Sequence, residues 1–172
     1  MPTRTINMEV EKQVGPSCTA FAASNLVKYL YRQKYGVSLK LDTLEFYDRI
    51  KHRTDLDVAC KELRDKGIKT TDGKYIKIKG FSPVLRGDIW NTVKLSGPIL
   101  LEIDKENGEP LHERLDENLV LQHRKNGNHS VVGLEVDSIY MCIADSNRKT
   151  PDYWWMKMVQ QKMIKDAYYI NL

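Results

Sequence analysis

Cys18 is the residue whose type and setting first suggest chemistry. It lies in the run Gln13-Val14-Gly15-Pro16-Ser17-Cys18-Thr19-Ala20-Phe21-Ala22, after a Gly/Pro turn and at the start of an apolar helical pattern. A thiol on the first turn of a helix feels the positive end of the helix dipole. That favours thiolate over thiol and makes the sulfur a nucleophile. Far downstream, Asn128-His129-Ser130-Val131-Val132-Gly133 offers a base, and Ile143-Ala144-Asp145-Ser146 offers a carboxylate to orient it. Thiol hydrolysis needs a thiolate, a His to share its proton, a third group to fix the imidazole, and donors for the oxyanion. Cys18, His129 and Asp145 are the candidates for the first three. The side-chain amide of Gln13, beside the backbone N–H of Cys18, is the candidate for the fourth. Singly, each has a plainer reading: a packed core thiol, a structural His near a strand, an Asp capping a turn. Their order and combination point to one site.

The elements that must position them follow from periodicity. Residues 1–12 read as extended. A strong helix is expected from about Cys18 to Tyr35, with Ala22, Ala23, Leu26, Val27, Tyr29 and Leu30 on its apolar side and Gly36 as its stop. Asp42-Thr43-Leu44-Glu45 reads as a capping box opening a short helix to about Ile50. A third helix is expected from Thr54 to Lys66, burying Leu56, Ala59, Cys60 and Leu63 and ending at Gly67. Tyr75, Ile76 and Ile78 within KYIKIKGF suggest a strand, and Asp88 to Leu95 a short helix before Gly97. From Pro98 onward beta signals dominate, in PILLEID, HSVVGLEV, SIYMCIAD, YWWMKM and AYYINL, with Glu135 to Ser138 as a tight turn. The polar stretch from Glu106 to Asn126 reads as a loop with a short helix around Leu111 to Leu119. Helices first and an antiparallel sheet second is the α+β order. The expectation is one catalytic domain over 1–172, with a helical lobe at about 13–96, a β lobe at about 97–172, and a cleft between them.

Bulk properties restrict the function classes. A chain of 172 residues buries roughly 70% of its unfolded surface and needs no staples to fold. It carries 27 basic against 23 acidic residues, a net charge of +4, spread along the whole length. No polybasic run is interleaved with aromatics, so a nucleic-acid partner is not expected. Three distant cysteines at 18, 60 and 142 do not form a disulfide framework and fit a reducing compartment. No apolar run approaches ~20 residues, and MPTRTINMEV lacks the apolar core of a signal peptide. The expectation is a cytoplasmic protein with no membrane partner, in a cell or in a virus-infected cell. Nothing in the sequence fixes an oligomeric state.

Other candidates have simpler explanations. Cys60 and Cys142 read as core thiols, and His52, His112 and His123 as exposed. A zinc site from Cys142, His123 and His129 lacks a ligand pair of recognised spacing. GKYIKIKG opens no helix and makes no phosphate loop. No cofactor and no metal is expected. The lysines from Lys66 to Lys79 read as a solvated face.

The run QVGPSCTAFA resembles the nucleophile segment of the papain-like cysteine peptidases, where a Gln precedes a Gly/Ser turn, the Cys and an Ala-Phe-Ala helix start. Gly97-Pro98-Ile99-Leu100-Leu101-Glu102-Ile103-Asp104 resembles that family's Gly-Pro-Val-x-Val-x-Ile-x strand. Asn128 to Gly133 is similar to its Asn-His-Ala-Val stretch. Tyr140 to Ser146 is similar to its Tyr-x-x-x-Lys-Asn-Ser stretch, and Tyr153-Trp154-Trp155-Met156-Lys157 fits the strand that follows. The matches come in family order from about Gln13 to Met158.

The resemblance implies a helical lobe carrying Cys18, a β lobe carrying His129, and a peptide or protein substrate in the groove between. It also implies peptide-bond hydrolysis through a Cys acyl-enzyme, with Asp145 orienting His129 and Gln13 at the oxyanion. Asp145 stands where most of the family has Asn, and its charge would stabilise the imidazolium. Gln13 is one residue closer to the Cys than usual. Gly15 and Thr19 replace a disulfide Cys and a Trp, and Asn147 replaces a Trp that shields the triad, a role open to Trp154 or Trp155. The family's paired substrate-binding glycines are not evident. No inhibitory prosegment is expected before Gln13. Two other readings stay open: a leader-peptide-processing peptidase, to which the ending Ile143-Ala144-Asp145 is similar, and a catalytically inactive papain-like fold acting as a protein-binding module. Transglutaminase-like acyl transfer uses the same residue types but places its His closer to its Cys.

Overall fold

The first helix, α1 (Cys18–Tyr35), is apolar around more than one stripe: Ala20, Phe21, Ala22, Ala23, Leu26 and Val27 are all buried. A helix apolar on several sides is one covered on several sides. It ends at Gly36, whose N–H returns to the carbonyl of Arg32 at 2.8 Å. The computed structural model describes residues 2, 4–51, 55–104, 115–120, 128–147 and 152–172.

Helix α2 (Thr43–Ile50) opens as its sequence predicts on one side only. The Asp42 carboxylate accepts from the Glu45 N–H at 3.2 Å, while the Glu45 carboxylate pairs with Arg49, one turn on, at 3.0 Å. Helix α3 (Leu56–Asp65) buries Leu56, Ala59, Cys60 and Leu63, the face its periodicity predicts. Its expected first residue, Thr54, lies outside the described residues. Gly67 follows at φ 89°, and a Cβ there would stand 2.4 Å from the Ile76 carbonyl oxygen. Only glycine suits both the left-handed backbone and that close approach.

The strand expected within KYIKIKGF is two strands in two sheets. β1 (Ile68–Lys69) pairs with β2 (Tyr75–Ile76) in a small hairpin, while β3 (Gly80–Pro83) joins a six-stranded sheet. Helix α4 (Ile89–Ser96) then leads to β4 (Ile99–Asp104), β5 (Asn128–Val136), β6 (Tyr140–Ala144), β7 (Tyr153–Lys157) and β8 (Ile164–Asn171). The strand order is β3-β8-β4-β5-β6-β7, antiparallel throughout. The architecture is therefore α+β, with an N-terminal helical region and a C-terminal antiparallel sheet.

The sheet has a core on each face, set by the period of two along a strand. Leu100, Val132, Leu134, Cys142, Ala144 and Trp155 join α1, α2 and α3. Leu101, Ile103, Val131, Met141, Ile143 and Trp154 face the other way, against Ile89, Trp90 and Val93 of α4. Two elements from before residue 97 thus belong to the sheet: β3 at its edge and α4 on its far face.

The helix expected around Leu111 to Leu119 lies partly outside the described residues. Where described, Asp116 to Leu119 form a turn. The Asp116 carboxylate accepts from the N–H groups of Asn118 and Val120 at 2.8 and 3.0 Å, and Leu119 adopts φ 63°. An Asp that bonds its own downstream backbone competes with helix formation.

Residues 4–12 form no regular element and act as a strap. Met8 and Val10 are buried in the helix-side core. The Glu135 carboxylate of β5 accepts from the Thr5 N–H and hydroxyl and from the Ile6 N–H. Asn25 of α1 exchanges hydrogen bonds with the Glu11 backbone at 2.8 and 3.1 Å, and the Tyr153 hydroxyl of β7 donates to the Met8 carbonyl. The strap ties α1 to β5 and β7. No helix among the described residues is long and apolar enough to cross a membrane.

Candidate active site

The turn into α1 leaves the helix start uncapped. Gly15 at φ 63° reverses the chain, and the Ser17 N–H donates to the Gly15 carbonyl at 2.9 Å. Ser17 is the N-cap, but its hydroxyl donates back to the Val14 carbonyl at 2.7 Å rather than capping the helix. The first N–H groups of a helix have no intrahelical partner. Among the described residues no side chain caps them, which leaves donors at the start of the helix that carries Cys18.

His129 comes from β5 and Asp145 from the end of β6, and a β-bulge puts them in phase. The register runs Val132↔Ala144 and Gly133↔Ile143, then shifts by one residue to Glu135↔Cys142 and Val136↔Met141. On the site side of the bulge, His129 shares a face with Val131, and Asp145 shares that face with Ile143. A regular ladder continued from Val136↔Met141 would turn His129 toward the helices, because a one-residue slip moves every side chain to the other face. As built, His129 Nε2 stands 2.7 Å from Asp145 Oδ1, with both residues buried.

Asp145 is held from two further directions. Its Oδ1 accepts from the Asn147 N–H at 2.9 Å, and its Oδ2 accepts from the indole N–H of Trp154 at 3.1 Å. Trp154 is fully buried on β7, in register with Ile143. It covers the carboxylate and also bonds it, whereas Trp155 lies on the opposite face with the helix-side core.

With Nε2 committed to Asp145, the hydrogen bond between the His129 ring and Cys18 uses Nδ1. The sulfur also receives the backbone N–H of Ser130 and bonds the Thr19 side chain. Burial pushes the Cys18 thiol up, but the hydrogen bond and charge of His129, with help from Ser130 and Thr19, bring it down to about 7. Burial pulls His129 down, but the charge and hydrogen bond of Asp145, with those of Cys18, raise it to about 9. Burial pushes Asp145 up, but His129, the Asn147 N–H and Trp154 hold it at about 2. The resting form these values favour is thiolate, imidazolium and carboxylate in line. Cys60 and Cys142 are buried without such partners, and burial pushes both up to about 12. All three thiols are unpaired.

Gln13 is fastened beside this line. Its backbone N–H donates to the Ser146 carbonyl at 3.0 Å, and its side-chain oxygen accepts from the Ser146 hydroxyl at 2.9 Å. Its amide nitrogen places one hydrogen on the Gly15 carbonyl at 2.9 Å. The second amide hydrogen has no protein partner among the described residues. Of the four predicted side chains, His129 thus meets both Cys18 and Asp145, and Gln13 is anchored to Gly15 and Ser146 beside them. Thr19, Ser130 and Ser146 were not singled out in the sequence. Their only sequence signal is adjacency to Cys18, His129 and Asp145.

No protein-family model and no curated protein sequence matches the chain. Solved structures do. The chain is similar to digestive procathepsin L 3 of the Tenebrio molitor larval midgut, at TM-score 0.69 and 17% identity, over 95% of this chain and 66% of that one. It is similar to the Carica candamarcensis cysteine protease CMS1MS2 in complex with E-64, at TM-score 0.75 and 15% identity, over 94% of this chain and 92% of that one. A structure from work on the mite allergens Blo t 1 and Der p 1 aligns at TM-score 0.65 and 16% identity, over 96% of this chain and 67% of that one. This chain thus spans just under two thirds of the procathepsin and nearly all of the plant protease. It has the papain-like cysteine protease fold.

Proposed function

We propose that the chain is a thiol peptidase that hydrolyses peptide bonds through an acyl-enzyme on Cys18. The observation that carries the reading is the half-buried Cys18 set against the buried His129 and Asp145, with Asp145 2.7 Å from Nε2 and the sulfur on the other ring nitrogen. A papain-like fold around that line supports it.

In the first half-reaction the Cys18 thiolate attacks the substrate carbonyl carbon. The carbonyl oxygen takes the negative charge and is received by the uncapped N–H groups at the start of α1 and by the open amide hydrogen of Gln13. The His129 imidazolium gives its Nδ1 proton to the leaving amine as the C–N bond breaks, and a thioester remains on Cys18. In the second half-reaction neutral His129 takes a proton from water, and the resulting hydroxide attacks the thioester carbon. Collapse expels the Cys18 thiolate and restores the ion pair. Asp145 stays ionised throughout and holds the imidazole in orientation. The unpaired thiols are in keeping with work in a reducing compartment.

The test is hydrolysis of a mixed fluorogenic peptide library by the wild type, Cys18→Ser and His129→Ala, each checked by thermal melting. Turnover confined to the wild type, with all three folded, supports the reading. Equal turnover in Cys18→Ser overturns Cys18 as the nucleophile, and a folded wild type with no turnover on any peptide overturns the reading and leaves the binding module.

A further inference from the structure

We propose that Thr19 and Ser130 are positioning residues: their paired hydroxyls form an oriented relay that aims a donor at the Cys18 sulfur and pins α1 to β5. Each is the chain neighbour of one member of the reactive pair, and both side chains are buried, at 3% and 0% exposure. Their oxygens stand 2.8 Å apart, and either one can be the donor. The sulfur breaks that symmetry. Thr19 also hydrogen-bonds Cys18, and a hydroxyl has a single proton to give. When Cys18 is a thiolate, Thr19 must donate to it, so Ser130 must donate to Thr19. The chain then runs from the Ser130 O–H to Thr19, and from the Thr19 O–H to sulfur.

The backbone N–H of Ser130 bonds the same sulfur, so one residue of β5 reaches the thiolate both directly and through Thr19. Hydrogen bonds to a charged acceptor are roughly twice as strong as neutral ones. The relay therefore stabilises the thiolate in particular, and its second effect is to fix the helix start against the strand that carries His129. The proposal rests on Cys18 being the nucleophile, yet its test reads the sulfur itself and not turnover.

The experiment is the pH midpoint of Cys18 alkylation by iodoacetamide in Thr19→Val, Ser130→Ala, the double variant and Thr19→Ser, with thermal melts alongside. Thr19→Val removes the terminal donor at nearly constant shape and raises the midpoint by about one pH unit. Ser130→Ala raises it less, because Thr19 still donates. The double variant matches Thr19→Val alone, and Thr19→Ser restores the wild-type midpoint. A lower melting temperature with an unmoved midpoint in Thr19→Val overturns the relay and leaves only a clamp, as do single shifts that simply add. Should Thr19→Val fail to fold, Ser130→Ala decides: a raised midpoint upholds the relay and an unchanged one overturns it. Wild-type protein that hydrolyses no peptide yet shows these shifts keeps the relay and removes the peptidase reading.

Discussion

Asp145→Asn tests where the proton on His129 gets its support. The pair titrates near 7 at Cys18 and near 9 at His129, so thiolate with imidazolium dominates between those values. The lowered thiol and the raised imidazole together favour the ion pair over thiol with neutral imidazole. Burial alone would move His129 below its ordinary 6.5, and the Asp145 charge is the first influence acting the other way. An Asn at 145 keeps the size and keeps an oxygen for Nε2–H, but it carries no charge. Its NH2 then faces the Trp154 indole N–H, which now donates to the second carboxylate oxygen. A buried donor left without an acceptor costs about 1–3 kcal/mol. Two effects are therefore expected. The titration of the His129 ring, followed by NMR, falls clearly below about 9. Stability at neutral pH also falls, and Trp154→Phe added to Asp145→Asn recovers part of that loss by removing the opposed donor. A His129 ring that still titrates near 9 in Asp145→Asn would refute the reasoning, because the support would then come from elsewhere.

Two further predictions follow from the same geometry. If the open amide hydrogen of Gln13 receives the oxyanion, Gln13→Ala lowers kcat for peptide hydrolysis by about a hundredfold or more while iodoacetamide alkylation of Cys18 is unchanged; an unaltered kcat removes Gln13 from the mechanism. Glu102, on β4 opposite Ser130, is 4% exposed. Burial, opposed by the charge of Lys165 and aided by Asp166 and Asp55, pushes its carboxyl up to about 7 from an ordinary 4.5. The native state then holds a proton that the unfolded chain releases, so stability falls as pH rises from 4.5 to 7. Urea unfolding at pH 5 and pH 8 should show that fall in the wild type and less of it in Glu102→Gln, and an equal fall in both would contradict it.

The helices were legible because their apolar positions recur at helical spacing: α3 buries the four residues its pattern names. Short apolar runs along 131–134 and 140–144 marked strands covered on both faces. Other features leave no local trace. The split of KYIKIKGF into β2 and β3 is decided by β3 pairing with the last strand of the chain, a contact between distant residues. The place of β8 between β3 and β4 has the same origin. The glycine beside the bulge, Gly133, answers to close packing from distant residues, since a Cβ there would stand 3.0 Å from both Leu101 and Met141. Within the site, reaction chemistry narrows the residue types, which made Cys18, His129 and Asp145 visible as candidates. Nothing in their spacing foretold that Trp154 would bond Asp145 or that Thr19 would bond Ser130. The turn at Asp116 was misread as helix because its side chain competes for its own backbone.

The measurement that bears most directly on the account is the alkylation rate of Cys18 by iodoacetamide against pH, in the wild type and in His129→Ala. Cys60 and Cys142, both held near 12 by burial, serve as internal controls. The account predicts fast modification of Cys18 with a midpoint near 7, lost in His129→Ala, while the other two thiols stay silent. A Cys18 that titrates near 9 and ignores His129 would contradict it.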